Sequence, residues 1–268
     1  MSATTMTTSL PLDQERSLTM TEALSQRPEM TPEELRRAAW TCSVGSAMEY
    51  YDFALYSLAS ALVFGPLFFP STIPGMGLVA SFATYFIGFA VRPIGGIFFG
   101  RLGDRHGRKK VLLLTVTLMG LASAAIGLIP SYATIGIAAP LLLVFMRILQ
   151  GFGAGAEQAG AAVMMTESAP KERRGYFAAL PFLGIQMGTV AAGLIYFGML
   201  TGVPNIAETW IWRVPFLGSA FLLVIALYMR LRLKESPAFA KLKEEEEHEE
   251  VMPIREVLTT SWRPITAG

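Results

Sequence analysis

Charge is the scarcest thing in this sequence. Asp, Glu, Lys and Arg together make up 16% of its 268 residues, where an ordinary soluble domain carries about 25%. Cysteine is nearly absent as well, and the single Cys42 excludes an internal disulfide and a cysteine-built metal site. Histidine occurs only as His106 and His248, and there is no H-E-x-x-H, G-x-S-x-G, C-x-x-C or G-x-x-x-x-G-K. The usual signatures of a membrane-embedded enzyme or a nucleotide-driven pump are therefore missing. No cofactor, metal, enzymatic activity or nucleic-acid partner is expected.

The shortage of charge is uneven. Phe53–Val91, Val111–Met146 and Gly175–Ala207 contain no acidic or basic residue, and neither does the shorter Val214–Met229. A membrane helix needs about 20 mainly apolar residues, because the hydrocarbon core is ~30 Å thick. The first two stretches are too long for one span each, and both break in the middle. Pro66, Pro70, Pro74 and Gly75 interrupt one, and Pro130, Ser131 and Tyr132 the other. An unpaired backbone group is costly in lipid, so such breaks belong at the interface. The pattern predicts an all-α membrane protein of six spans, at about Ala39–Gly65, Met76–Gly100, Val111–Ile129, Thr134–Glu167, Gly175–Thr201 and Trp212–Leu231.

Around this bundle, residues 1–37 are polar and lack the basic-then-apolar layout of a signal peptide, and read as a disordered cytosolic tail. Thr31-Pro32-Glu33-Glu34 closes the tail with an N-cap, a proline at the first helical position and a capping-box Glu. The bundle covers 38–234. Residues 235–268 read as a cytosolic linker, with a helix start at Ser236-Pro237, an acidic run within Lys241–Glu250, and from Pro253 the approach to a seventh span. On this reading the chain is a fragment or truncated form of a longer membrane protein.

Basic residues fix the orientation. Of 22 Lys and Arg, 19 fall in the tail, Arg101–Lys110, Lys171–Arg174 and the region from Arg230 onward. The loops at 66–75, 130–133 and 202–210 hold none. Positive residues flank the cytoplasmic ends of spans, which places both termini in the cytoplasm of a multi-pass cell-membrane protein.

The loop between spans two and three reads Gly100-Arg-Leu-Gly103-Asp104-Arg105-His-Gly107-Arg108-Lys109-Lys. Gly103 and Gly107 are read as turn positions, and one acid stands among five cations. This spacing resembles the G-x-x-x-D-R-x-G-R-K loop of the major facilitator superfamily. Arg147-Ile-Leu-Gln150-Gly151 resembles the same superfamily's R-x-x-Q-G motif. Four further segments resemble its metabolite:proton symporter branch, which includes proline/betaine, dicarboxylate and shikimate carriers. They are Glu49-Tyr-Tyr-Asp52-Phe53, Val91-Arg92-Pro93-Ile94-Gly95-Gly96, Gly153-Ala-Gly-Ala-Glu157 and Trp212-Arg213-Val-Pro215-Phe216. The resemblance implies the N-terminal half of a two-half, alternating-access fold. It also implies that Asp104 and the loop arginines latch the cytoplasmic ends of the halves, the partner surface lying in a C-terminal half. Gly188-Thr-Val-Ala-Ala-Gly193 stands where drug/proton antiporters carry a G-P pair, which favours a symporter over an exporter.

Five charges fall inside the spans: Glu49, Asp52, Arg92, Arg147 and Glu157. Each costs at least about 2.5–3.5 kcal/mol in hydrocarbon and needs a partner or a wet cavity. At 1.5 Å per residue, Glu49, Arg92 and Glu157 share one layer, Asp52 lies slightly above it, and Arg147 lies nearer the midplane or beyond. Asp52 and Tyr56 are four apart, and Arg147, Gln150, Ala154 and Glu157 form one helical stripe. The plainer reading is that Arg92 pairs with Glu49 or Glu157 to neutralise buried charge. The functional one is that Asp52 or Glu157 exchanges a proton while Arg147 holds an anionic solute group or tunes that carboxylate. Tyr50, Tyr51 and Tyr56 either line the path or pack helices. Gly151, Gly153, Gly155, Gly160, Gly184 and Gly188 are read as close-packing positions. The expected function is proton-coupled symport of a small organic acid or osmolyte. The alternatives are a six-helix module with no transport of its own, or a drug/proton exporter.

Overall fold

A computed structural model of the protein describes residues 31–203 and 205–232. Most of the tail and all of the linker expected at 235–268 lie outside the described residues. So do the readings placed there: the Ser236-Pro237 helix start, the acidic run and the approach to a seventh span.

Helix α1 (Pro32–Ala59) starts as the sequence signals. The Thr31 hydroxyl accepts from the Glu34 N–H at 3.3 Å, and the Glu34 carboxylate accepts from the Thr31 N–H at 3.1 Å. A π-helical turn at Ser60–Phe64 carries the chain into the short α2 (Gly65–Phe68), so the first span runs unbroken over Pro32–Phe68. Gly75, at φ 78°, opens α3 (Met76–His106). After α4 (Arg108–Ile126) comes the single turn α5 (Tyr132–Ile135). The fourth span follows as two pieces, α6 (Ala138–Ala154) and α7 (Glu157–Ser168). Then come α8 (Arg174–Gly202) and α9 (Arg213–Leu231). Among the described residues six helices are long and apolar enough to cross a membrane, as expected, and no strand occurs.

Two boundaries depart from the sequence reading. The ten-residue loop expected at 101–110 is a single hinge: α3 runs to His106, α4 starts at Arg108, and only Gly107, at φ 98°, leaves the helix. Gly103 is not a turn. It lies inside α3 with its carbonyl accepting from the Gly107 N–H at 3.0 Å, since nothing before residue 107 stops the helix. The fourth span, expected as one helix over Thr134–Glu167, breaks at Gly155-Ala156. Glycine is a poor helix former, and the break lies against Arg92 and Gly96 of α3.

Helix α1 is the hub. Its span is 61% buried, against 22% for α3, 28% for α8 and 33% for α9, so those three turn most of their apolar surface outward. Close approach of backbones, rather than bulky interdigitation, joins the pairs. A Cβ at Gly184 or Gly188 of α8 would strike the carbonyls of Ser43 and Ala47 of α1. A Cβ at Gly151, or at Gly95, would likewise strike the Gly88 or Phe152 carbonyl across the α3–α6 seam. Lipid gives no hydrophobic drive between helices, and small residues let dispersion act at short range instead. Above and below the buried charges sit two apolar cores. One is aromatic, around Phe64, Phe68, Trp212 and Phe216, and the other gathers Leu35, Cys42, Leu112 and Met164.

Candidate functional site

Glu49 and Asp52 face inward on α1 because α1 is surrounded, and the two are three residues apart on one face. The Arg92 guanidinium of α3 donates to Glu49 Oε1. Glu49 is fully buried, whereas the Arg92 side chain keeps 18% exposure, so the pair has one edge toward open space. Arg92 also lies over the Phe53 ring, 4.1 Å from its centroid. Of the two partners the sequence offers Arg92, Glu49 or Glu157, the structure pairs it with Glu49, and Glu157 is paired elsewhere.

Arg147 of α6 is wholly buried. Its Nη1 donates to Gln150 Oε1 at 3.0 Å. The rings of Phe53, Tyr56 and Tyr85 lie 4.4, 4.3 and 4.8 Å from its Cζ. Aromatic faces attract a desolvated cation by about 2 kcal/mol or more, which offsets part of the cost of burial. Gly88 makes the room, since a Cβ there would lie 2.9 Å from Arg147 Cζ. Among the described residues, Nε and Nη2 of Arg147 have no hydrogen-bond partner. Donors buried without an acceptor are costly.

Asp52 receives two hydroxyls. Ser123 of α4 donates to Oδ2 at 2.6 Å and Ser219 of α9 to Oδ1 at 2.7 Å. Gln150 Nε2 in turn donates to Ser123 Oγ. Asp52 is thus linked to Arg147 through Gln150 and Ser123, across α1, α4 and α6, with no direct ion pair.

Glu157, at the start of α7, is bound by Arg230 of α9 through Nη2 to Oε1 and through Nη1 to Oε2, the latter at 3.0 Å. Thr115 Oγ1 lies 3.2 Å from Oε2, and Arg230 Nη1 also donates to the Leu112 carbonyl. Gly45 gives the pair its space, because a Cβ there would sit 2.8 Å from Glu157 Oε1. Arg230 corrects the sequence reading, which placed it in the basic cytosolic flank. It is 3% exposed. The signal was present, since Pro215, Phe216, Ser219, Leu223, Ala226 and Arg230 are buried at helical spacing.

Among the described residues three carboxylates are buried: Glu49 and Glu157 pair directly with Arg92 and Arg230, and Asp52 reaches Arg147 only through Ser123 and Gln150. The stripe of Arg147, Gln150, Ala154 and Glu157 does face the interior. The tyrosines mainly tie helices. Tyr56 Oη is hydrogen-bonded to Thr84 Oγ1 at 2.6 Å, Tyr51 Oη donates to the Pro215 carbonyl at 3.2 Å, and Tyr50 Oη reaches Gln158 at 3.4 Å. Of the basic turn, Gly100 and Gly103 lie in α3 and Arg105 is exposed. Lys109 Nζ donates to the Leu231 carbonyl at 2.9 Å, a cation at a helix C-terminus. The side chains of Asp104 and Arg108 lie outside the described set. No cluster able to hold a metal occurs among the described residues.

Residues 38–259 match the family model described as "Sugar (and other) transporter". The chain belongs to that family, within the major facilitator superfamily. It is 42% identical over 224 residues to the shikimate transporter of Escherichia coli K12, covering 81% of this chain and 50% of that protein. It is 38% identical over 241 residues to the proline/betaine transporter of Salmonella typhimurium LT2, covering 86% and 48%. The chain therefore spans about half the length of these relatives. The solved proton:xylose symporter bound to 6-bromo-6-deoxy-D-glucose superposes with a TM-score of 0.68 at 18% identity, over 81% of this chain and 48% of that one. The inward-open xylose transporter of E. coli gives 0.65 at 17%, over 78% and 50%. These two likenesses speak for the fold, a six-helix half of the superfamily's architecture. The family is one of membrane transporters and not of enzymes.

Proposed function

We propose that this chain is the N-terminal, proton- and solute-binding half of a proton-coupled symporter for a small organic carboxylate or an osmolyte such as proline or betaine. It sits in the cell membrane with both termini cytoplasmic and works by alternating access against a second six-helix half. The observation that carries the reading is the Arg147 site: a buried guanidinium with two unpartnered nitrogens, ringed by aromatics and wired to the buried Asp52. A scaffold gains nothing from keeping donors unpaired in a dry interior, whereas a carrier needs them for its cargo. An anion near Arg147 and a proton on Asp52 would together leave the charge count of the site unchanged. The small-residue seams let helices slide as the halves rock.

Because the chain spans about half of its relatives, a second six-helix half is part of the proposal. The test is counterflow of labelled shikimate, proline and glycine betaine in liposomes. It is run with the chain alone and with the chain co-expressed with the C-terminal half of the shikimate relative. Exchange that needs both halves supports the reading. Exchange by the chain alone removes the need for a second half, and no exchange of any of the three solutes in either setting overturns the transport assignment.

A further inference from the structure

The outward stripe of the first turns of α1 is Glu33, Arg36, Arg37 and Trp40, all exposed. Their spacing of three, four and seven residues puts them on one face of the helix, while Leu35, Ala39 and Cys42 on the other pack into an apolar core. With Met229 near the end of α9, the stripe lines a cleft of about 320 Å³. The first span runs over 37 residues, about 55 Å of helix at 1.5 Å per residue. The hydrocarbon core takes ~30 Å of that, so the turns before the apolar stretch stand among the lipid headgroups. Tryptophan is favoured at that level, and Trp40 is 60% exposed there.

The charge of the cleft is positive. Of its lining residues only Glu33 is acidic, and Arg37 holds it at 3.2 Å. That pair is 57% and 71% exposed, where ion pairs are weak, so Arg37 is readily shared with a second anion. Arg36 has no hydrogen bond or ion pair among the described residues. Two further cations stand at the end of α9. Arg232 follows Met229 by three residues and lies 4.4 Å from the Tyr228 ring centroid, and Lys109 donates to the Leu231 carbonyl. The helix N-terminus itself plays no part, because Pro32 has no N–H and Thr31 already caps Glu34.

We propose that this cleft binds the phosphate of an anionic phospholipid, drawn from the cytosolic leaflet on the orientation proposed above. Arg36 meets the phosphate as a two-pronged donor. Arg37 and Arg232 add charge, and Trp40 with Met229 receives the start of an acyl chain. Each cation beside an anionic lipid surface favours binding by about fivefold. A phosphatidylcholine headgroup brings its own quaternary ammonium into the same positive field, which offsets that attraction. A lipid held here bridges the start of the first span and the end of the sixth. Two other anions share the chemistry: free phosphate, and the run Glu244–Glu247 of the linker, which lies outside the described residues. A bilayer supplies the lipid to this depth directly, and only the lipid satisfies the arginines and the exposed Trp40 together.

The experiment places the 268-residue protein in phosphatidylcholine nanodiscs with a minor fraction of lipid brominated near the top of its acyl chains, and reads tryptophan quenching. Trp40→Phe isolates the Trp40 signal from that of Trp210, Trp212 and Trp262. Brominated phosphatidylglycerol should quench Trp40 at a fraction about tenfold lower than brominated phosphatidylcholine. Arg36→Gln should reduce that preference by about fivefold, and Arg36→Lys should keep part of it, since it retains the charge and loses the fork. Arg173→Gln removes an exposed cation that does not line the cleft and should change nothing. Equal quenching by the two lipids in the native protein, or an equal loss in Arg173→Gln, overturns the site. Relief by inorganic phosphate as effective as by unlabelled phosphatidylglycerol would make the occupant a free anion. A preference that appears only after Glu244–Glu247 are replaced by glutamine would make it the linker, and either result overturns the lipid assignment. No solute is involved, so failed counterflow with this preference intact counts against the transport reading alone.

Discussion

Arg230, one residue before the end of α9, closes a two-point ion pair with Glu157, the first residue of α7. The contact bridges the broken fourth span and the sixth. It also reaches α4 through the Leu112 carbonyl and Thr115. Desolvating two charges costs several kcal/mol each, and removing one partner of such a pair typically costs about 3–5 kcal/mol. Glu157→Gln and Arg230→Met should therefore each lower the thermal midpoint in detergent strongly. The double variant Glu157→Leu/Arg230→Met should be more stable than either single one, because no charge is left unpaired. A double variant as unstable as the sum of the singles would mean that the groups act independently.

The α1–α8 seam gives a second prediction. A Cβ at Gly184 or Gly188 meets backbone of α1, which cannot move aside as a flexible side chain could. Gly188→Val should cost about 1–3 kcal/mol by overpacking and expose α8 to protease. Gly193 of the same helix has nothing within 4 Å of its built Cβ. Gly193→Ala should be neutral or slightly stabilising, by at most about 1 kcal/mol. Equal losses at both positions, read by thermal unfolding, would exclude close packing as the cause.

Asp52 and Glu157 are the two candidates for the proton, and their surroundings differ. Glu157 is held by a bidentate arginine, while Asp52 is held by two neutral hydroxyls. In the carrier completed by a second half, Asp52→Asn should abolish uptake driven by an inward proton gradient while sparing counterflow, which needs no net proton movement. Glu157→Gln should reduce both together, in line with lost folded protein. Proton-driven uptake that survives both substitutions would remove the coupling role from this site.

The spans, the inward stripe of α6 and α7, and the glycine seams were legible because membrane length and helical period are strong signals. Glu49 with Arg92 was legible as one of two pairings. Ser123, Ser219 and Thr115 were not, because a hydroxyl on an apolar helix looks the same whether it bonds its own backbone or a buried carboxylate. Thr117 does the former, donating to the Leu113 carbonyl at 2.7 Å. Arg230 was missed because positive residues at a helix end normally anchor to the cytosolic interface, and its burial depends on where α7 starts. Gly103 misled as a turn, since a glycine near a loop signals one equally well whether its φ is positive or helical.

The topology rests on basic residues alone and can be checked directly. His106 is exposed at the far end of α3, and Ile73 lies exposed just before that helix. Thirty-one residues of helix span about 46 Å at 1.5 Å each, more than the ~30 Å hydrocarbon core, so the two positions must lie on opposite sides of the membrane. In a Cys42→Ala background, His106→Cys should react with a membrane-impermeant maleimide only in inside-out vesicles. Ile73→Cys and Trp210→Cys should react in intact cells. Cys42 itself is buried, so the background substitution removes a residue that contributes no signal. The reverse labelling pattern would place Arg101–Lys110 outside, against the positive-inside rule, and would turn the Arg147 and Asp52 site over relative to the proton gradient that is proposed to drive it.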